Sequence, residues 1–559
     1  MSELDGGALA GKALANEGVE KAFVLCGGHI MPILYGMRDA GIEIVDMRHE
    51  SSAIYAAIGY TRASGKTAAV ITTAGPGVAN TPAGMMEAQS MGIPLIHIGG
   101  AVSMLKRHGG DLQDMDTLEL MKTCSKWSSL VTYAQRIPEY VSMALRHAHD
   151  QFPGPVYLEM PTNVLWQKVE EEKVIFPVNS CTKAIPFGDP ALIEKAAALL
   201  ANAKRPAVLI DDGARFNIGE HAKAIAALSD YLKMPIGDHG SNCRGLFGDE
   251  VENPLFARNA SGEADVVLAL GCRFDFRLFN GAFIPSAAKI IQVHVDSRQI
   301  GFSLRADVGI VGGVGPVASQ LLDAVKKRQK EPTKTYWGEQ PVDKWPDNLP
   351  DVYRSEGTPM HPARCAGEVA KFLAEEARDW NVICDGGEAS IWMRIASKAI
   401  RPGQIHATGP NGTIGTGPCL AVGTWAANRK PVLWYTGDGS FGFHNMELDT
   451  MERLGIPVVC VISNDSAWGQ IRLVETFTRP EEIKQKGQCN TELRHMRAYE
   501  KMVSMWDGHG EMVTNPEEIV PAIRRAVANG KPSIINVEVD KVSVSPFIAG
   551  YAAMTKTDK

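Results

Sequence analysis

A chain of 559 residues, 45% hydrophobic and 22% charged, has the composition of an ordinary folded protein with room for three or four buried cores, which excludes disordered and fibrous classes. A formal charge of -7 supplies no basic field for nucleic acid, and no run of 18 apolar residues speaks for a membrane span. Ten cysteines without a Cys-x-x-Cys pair argue against a zinc site or disulfide framework, and Met1 to Gly7 carries no basic or apolar leader pattern, so the expected setting is the reducing cytoplasm.

From the N-terminus, helix and strand alternate. Helices are expected over 7–17, 31–40 and 51–64, with strands over 21–26, 43–47, 67–72, 94–98 and 155–159. The first strand runs into Gly27-Gly28-His29, the second into Arg48-His49-Glu50, and the third into the glycine-rich turn 74–80. Such alternation predicts a doubly wound parallel sheet with ligands outside the carboxyl ends of the strands, where these three turns fall. A charged, proline-bearing linker is expected over 170–189. A second α/β unit follows, with strands near 207–210, 266–270 and 289–295, and a second linker over 326–350 rich in Lys, Pro and Trp. The expected domains are 1–170, 186–330 and 355–543, with a tail at 544–559. One internal echo links the outer domains: Val24 to His29 resembles Val382 to Glu388, each a strand running into paired glycines.

The last domain carries the densest chemistry. Val432 to Thr436 is a short apolar, β-prone run of the buried parallel kind, and it leads into Gly437-Asp438-Gly439-Ser440. The glycines let backbone amides approach an anion, and Asp438 supplies a hard oxygen ligand. A helix over 447–454 and a strand over 456–462 then deliver Asn464 and Asp465 to the same rim. Two strands ending at one rim can hold Mg²⁺ between two oxygen ligands and leave its other positions to phosphate oxygens.

Gly-Asp-Gly followed after about the same interval by Asn-Asp resembles the thiamine diphosphate motif, with Asp465 in place of the usual second Asn. The similarity runs from Gly7 to about Val539. It implies three doubly wound α/β domains: pyrimidine-binding, central and diphosphate-binding. It implies thiamine diphosphate and Mg²⁺ as cofactors, with Asp438, Asp465 and the carbonyl of Ala467 on the metal. Gly387, Glu388, Gly437, Gly439 and Ser440 then fall at the diphosphate end, Gly75, Pro76 and Asn80 beside the pyrimidine, and Ile414 under the bent cofactor. Glu50 matches the glutamate that hydrogen-bonds the aminopyrimidine, where an apolar pocket lets it share a proton with a ring nitrogen.

His29, Arg48-His49-Glu50 and Gln113 together resemble benzaldehyde lyase, in which a histidine and a glutamine handle the hydroxyl of a 2-hydroxyketone. Gly27 to Ile30, Ile98 to Ala101 and Asn464 to Ile471 are most similar to 2-hydroxyacyl-CoA lyases of the acetolactate-synthase-like kind. That resemblance implies cleavage of a 2-hydroxyacyl-CoA to formyl-CoA and an aldehyde or ketone, reversible as carboligation, with His29 as base for the 2-hydroxyl. The alternatives are a 2-oxoacid carboligase, a 2-hydroxyketone lyase, and an inactive scaffold. Gly271 to Arg277 resembles a flavin-contacting stretch of acetolactate synthases, but Phe276 stands where an acid is usual and no other flavin loop matches. The central domain is left with FAD, ADP, the CoA adenosine, or nothing. Lys106 and Arg107 are read either as contacts for CoA phosphates or as a solvated pair. By family analogy the site lies between chains of a homodimer or homotetramer, and the tail closes over it or is an untidy terminus.

Overall fold

The computed structural model describes residues 3–177, 181, 185–217, 221–238, 240, 243–247, 261–335, 337 and 349–549. It divides into two compact units, one of Met1–Ala184, Pro418–Arg429 and His444–Leu454, the other of Ile185–Gly417, Lys430–Phe443 and Gly455–Lys559.

Three parallel sheets carry the α/β architecture expected from the alternation. In the first unit the strands run, edge to edge, Glu43–Asp46, Lys21–Leu25, Ala68–Thr72, Leu95–Ala101, Pro155–Pro161, Trp127–Leu130. Counted along the chain, that order is 2-1-3-4-6-5. The last sheet, Ile405–Ala407, Asn381–Cys384, Val432–Gly437, Val458–Asn464, Ser533–Glu538, Gly510–Val513, has the same order. The two echoing sequences are therefore the first strands of sheets with one topology. The central sheet is shorter and follows 2-1-3-4-5, with Pro206–Ile210 as its first strand. In each, the crevice between first and third strands is where the connections diverge to opposite sides, and ligands bind at such switch points.

The strands are continuous apolar runs because helices cover both faces. Every residue of Ala68–Thr72, Leu95–Ala101 and Pro155–Pro161 is buried. Leu9, Ile33, Ile71, Ile98 and Leu158 share one core. Val382, Leu433, Val461 and Ile535 share that of the last sheet. The expected linker at 170–189 begins as structure: Lys168–Glu170 pairs antiparallel with Glu3–Asp5.

Glu50 does not end a strand, as the sequence suggested. The strand stops at Asp46, and Glu50 opens the helix Glu50–Ser64. His49 caps that helix by accepting the Ser51 N–H on its ring, and an acidic residue in the first turn suits the positive end of the helix dipole. This helix crosses the helix Gly417–Asn428 at very close range. A Cβ on Gly59 would sit 2.7 Å from the Leu420 carbonyl oxygen, and one on Gly423 2.0 Å from that of Ala56. Only glycine at both positions admits that backbone approach.

Candidate active site

In the second unit, the carboxyl ends of the last sheet's strands open into a cavity of about 300 Å³. Its lining includes Gly387, Glu388, Ile414, Gly437, Asp438, Gly439, Ser440, Asp465 and Ala467, nine residues singled out from the sequence. Asp438 follows the third strand and Asp465 the fourth, so the parallel pairing of Val432–Gly437 with Val458–Asn464 sets the two carboxylates side by side. Both oxygens of Asp438 are buried without a hydrogen-bond partner. Burial, reinforced by the neighbouring Asp465, holds the Asp438 carboxyl well above the usual carboxylate range, and burial likewise raises Asp465. Two buried carboxylates side by side would be favoured in their charged forms by a divalent cation with oxygen preference. Among the described residues no group of three or more His, Cys, Asp or Glu forms a metal cluster, so a cation here draws its other ligands from carbonyls and from its own companion.

Asn464 does not reach that rim as a ligand. It is the last residue of its strand and 1% exposed. Its amide donates to Asn536 at 2.9 Å while its oxygen accepts the Ser466 N–H at 3.0 Å. The turn is shaped so that Asp465 faces the cavity instead. Asp385, which sequence reasoning did not single out as a site residue, is the hub of the opposite wall. Its carboxylate accepts the N–H groups of Gly386 (2.7 Å), Gly415 (2.9 Å) and Gly417 (3.1 Å), which fixes the loop that carries Ile414.

In the first unit a second cluster forms at the carboxyl ends of the matching strands. Glu50, 7% exposed, accepts a hydrogen bond from the Asn80 side chain at 2.9 Å. The Thr73 hydroxyl lies 3.4 Å from His29 Nδ1 and donates to the side-chain amide oxygen Oε1 of Gln113 at 3.3 Å, so one hydroxyl links the two residues proposed to handle substrate. Gly75 has φ +56°, and a Cβ there would stand 2.7 Å from the Gln113 carbonyl oxygen; the turn closes on Gln113 because Gly75 has none. The approach to Glu50 is pinned by Glu447, a buried carboxylate that accepts the Arg48 N–H at 3.1 Å and the Thr450 hydroxyl at 2.7 Å. Ser51 adds a contact to His444 at 3.0 Å.

Three family descriptions match the chain: thiamine pyrophosphate enzyme, N-terminal TPP binding domain, over residues 4–120; central domain over 193–321; and C-terminal TPP binding domain over 385–537. A 2-hydroxyacyl-CoA lyase 2 of Caenorhabditis elegans is 30% identical over 520 residues, covering 84% of this chain and 79% of that protein. The chain belongs to the thiamine pyrophosphate enzyme family. Within that family of enzymes it is similar in two directions. A probable acetolactate synthase of Mycobacterium bovis is 29% identical over 552 residues, covering 96% of this chain and 95% of that protein. The 2-hydroxyacyl-CoA lyase 2 of Danio rerio is 28% identical over 610 residues, covering 97% and 93%.

As a thiamine pyrophosphate enzyme, the chain departs from its sequence reading in two places. Arg107 is neither solvated nor free for a phosphate: it is paired with the buried Glu159 at 2.6 Å and with Asp116 at 3.4 Å. Glu159 also accepts the Thr117 hydroxyl at 2.7 Å, so the pair anchors the loop that presents Gln113 to the sheet. Lys106 pairs with Asp111 at 3.4 Å. In the central domain Arg277, the last residue of the flavin-like stretch, turns inward onto Asp211 (3.3 Å), Asp212 (2.9 Å) and Asp275 (2.8 Å). Three carboxylates thus engage the Arg277 guanidinium from inside the domain. The tail is packed as far as it is described: Phe547 meets Phe279 at 5.1 Å between ring centroids, and Ile548 is 1% exposed. The rest of the expected lid, 550–559, lies outside the described residues. No helix among the described residues is long and apolar enough to cross a membrane.

Proposed function

We propose that the chain is a thiamine diphosphate- and Mg²⁺-dependent carbon–carbon lyase, cleaving a 2-hydroxyacyl-CoA to formyl-CoA and an aldehyde or ketone. The observation that carries this reading is the Thr73-centred cluster, in which His29 and Gln113 share one hydroxyl in the same unit as Glu50 and its partner Asn80. A base and an amide beside the activating carboxylate suit a substrate whose hydroxyl must lose its proton as the bond breaks.

Asp438, Asp465 and the Ala467 carbonyl hold Mg²⁺, and the backbone around Gly387, Gly437, Gly439 and Ser440 receives the diphosphate. Bound thiamine diphosphate supplies a carbon nucleophile that stores the electron pair of the broken bond. Glu50, fixed by Asn80, shares a proton with the pyrimidine nitrogen. Ile414, its loop fixed through Asp385, would pack against the cofactor. His29 takes the proton of the 2-hydroxyl, and Gln113 orients that hydroxyl. Thr73 keeps the two in register. The active unit is a homodimer or larger, with each site completed between chains.

The second reading, a 2-oxoacid carboligase, is favoured by similarity to acetolactate synthases. The two are separated by incubating the loaded protein with a 2-hydroxyacyl-CoA and, separately, with pyruvate. Formyl-CoA from the first supports the lyase; acetolactate from the second without formyl-CoA from the first overturns it. His29→Ala should lower cleavage by about a hundredfold, the usual scale for a lost acid–base group, and unchanged cleavage would remove His29 from the mechanism.

A further inference from the structure

The cavity presents a charge problem that the metal solves only in part. Among the described residues its lining holds four carboxylates, Glu388, Asp438, Asp465 and Asp540, and no lysine, arginine or histidine. A diphosphate adds negative charge, and one divalent ion held by Asp438 and Asp465 offsets a fraction of the total. Glu388 lies outside that pair, at the start of the helix Glu388–Ala396.

Its two oxygens are treated differently by the fold. Oε1 accepts the N–H of Ser545 at 3.3 Å, whereas Oε2 is buried without a partner. An ionised carboxylate has acceptors only, as does a phosphate, so the two repel if both enter one cavity charged. A protonated carboxyl keeps an acceptor for the Ser545 N–H and gains a donor for a phosphate oxygen. The surroundings favour that form. Asp465 and Asp438 face the cavity from the strand-end loops, Asp540 and Ser543 from the chain after the last strand, and Gln470 from the helix Gly469–Thr478. Burial pushes the Glu388 carboxyl up to about 7; the Ser545 hydrogen bonds oppose the rise, and Asp465 adds to it.

We propose that Glu388 binds the diphosphate as a neutral carboxylic acid, donating Oε2–H to a phosphate oxygen while Oε1 stays on Ser545. The proposal rests on the thiamine diphosphate reading above. Binding at alkaline pH then takes up one proton at Glu388, the proton passing from solvent to Oε2 with no other bond made or broken. Glu388→Gln is the permanent imitation of the bound form, since its amide donates an N–H without titrating.

The test is isothermal titration of the full chain with thiamine diphosphate at saturating Mg²⁺, in two buffers of different ionisation enthalpy. At pH 8 the wild-type protein should take up about one proton more than Glu388→Gln, and at pH 6 the two should agree. The ratio of their affinities should shift against wild type by about tenfold for each pH unit above about 7. Asp438 and Asp465 release protons on metal binding in both proteins, so the result is read as the difference between the two. Equal proton counts at pH 8, with the cofactor bound, overturn the proposal and leave the cofactor reading intact. Failure of wild type to bind thiamine diphosphate at all overturns both. Should Glu388→Gln not fold, Glu388→Met gives the same difference in proton count at lower affinity, and equal counts there overturn the proposal as well.

Discussion

The first and last sheets are the same scaffold used twice, with one strand order and one crevice, yet Glu50 on the first and Asp438 on the last are in opposite states. In the first unit Glu50 is bonded to Asn80, and His29, Thr73 and Gln113 bond among themselves. In the last sheet both oxygens of Asp438 and one of Glu388 are buried with no partner. Buried polar groups are ordinarily satisfied, so on the proposed reading the unsatisfied rim is the one whose partners arrive with a ligand, whereas the satisfied rim is preorganised to act on one. Equal topology therefore says where a site lies, and hydrogen-bond accounting says what kind of site it is.

That contrast can be broken at several points. The largest effect is expected from Asp438→Asn, which removes the negative charge a divalent ion needs. The thermal stabilisation given by Mg²⁺ with thiamine diphosphate should disappear in a melting experiment, and a wild-type shift would contradict the assignment. Next is Glu50→Gln. Turnover should fall by about a hundredfold or more, while calorimetry shows the cofactor still bound within about tenfold of wild type. A loss of binding equal to the loss of turnover would make the first rim a binding site like the other.

Asp385→Asn should come third. Asp385 accepts three backbone N–H groups, so the variant should cost about 2–3 kcal/mol in urea unfolding and raise the apparent Kd for the cofactor. Loss of stability with unchanged affinity would separate the hub from Ile414.

The smallest effect lies beneath the first rim, at His97. It is fully buried, its Nε2 is 2.9 Å from the Thr72 hydroxyl, and burial pushes it down to about 3. A histidine with a depressed value binds fewer protons folded than unfolded. Its contribution is therefore complete above its ordinary value near 6.5 and is lost as pH falls from there toward 3. The penalty should reach about 2 kcal/mol at pH 5, and the urea midpoint of His97→Gln should fall less steeply below pH 6.5 than that of wild type. Parallel slopes would show that other groups carry the acid sensitivity.

The fold and the placing of Asp438 and Asp465 at one strand-end rim were legible in the sequence because both rest on local patterns: apolar runs at helix–strand spacing, and a Gly-Asp-Gly turn one strand–helix–strand unit from Asn464-Asp465. What escaped was long-range. Thr73 looks like any residue between a strand and a glycine turn, and only the fold brings His29 and Gln113 to it. Glu447 supports the approach to Glu50 by bonding Arg48 from 399 positions away in the chain, a partnership no spacing rule exposes. Asp385 stood inside the echoing stretch, where a carboxylate before paired glycines gave a signal that could have been used. Asn464 and Asp465 are adjacent, and the turn alone decides which one faces the ligand. Arg107 resembled a free cation because its buried carboxylate, Glu159, lies 52 positions away, and Arg277 reaches Asp211 from 66 positions away besides its neighbour Asp275.

The most direct measurement is to count Mn²⁺, as a paramagnetic substitute for Mg²⁺, bound per chain with and without thiamine diphosphate by electron paramagnetic resonance. The expected result is one tightly held ion per chain that requires the diphosphate and is absent in Asp438→Asn. One ion bound equally well in Asp438→Asn, or tight binding indifferent to the diphosphate, would contradict the assignment of the unsatisfied rim.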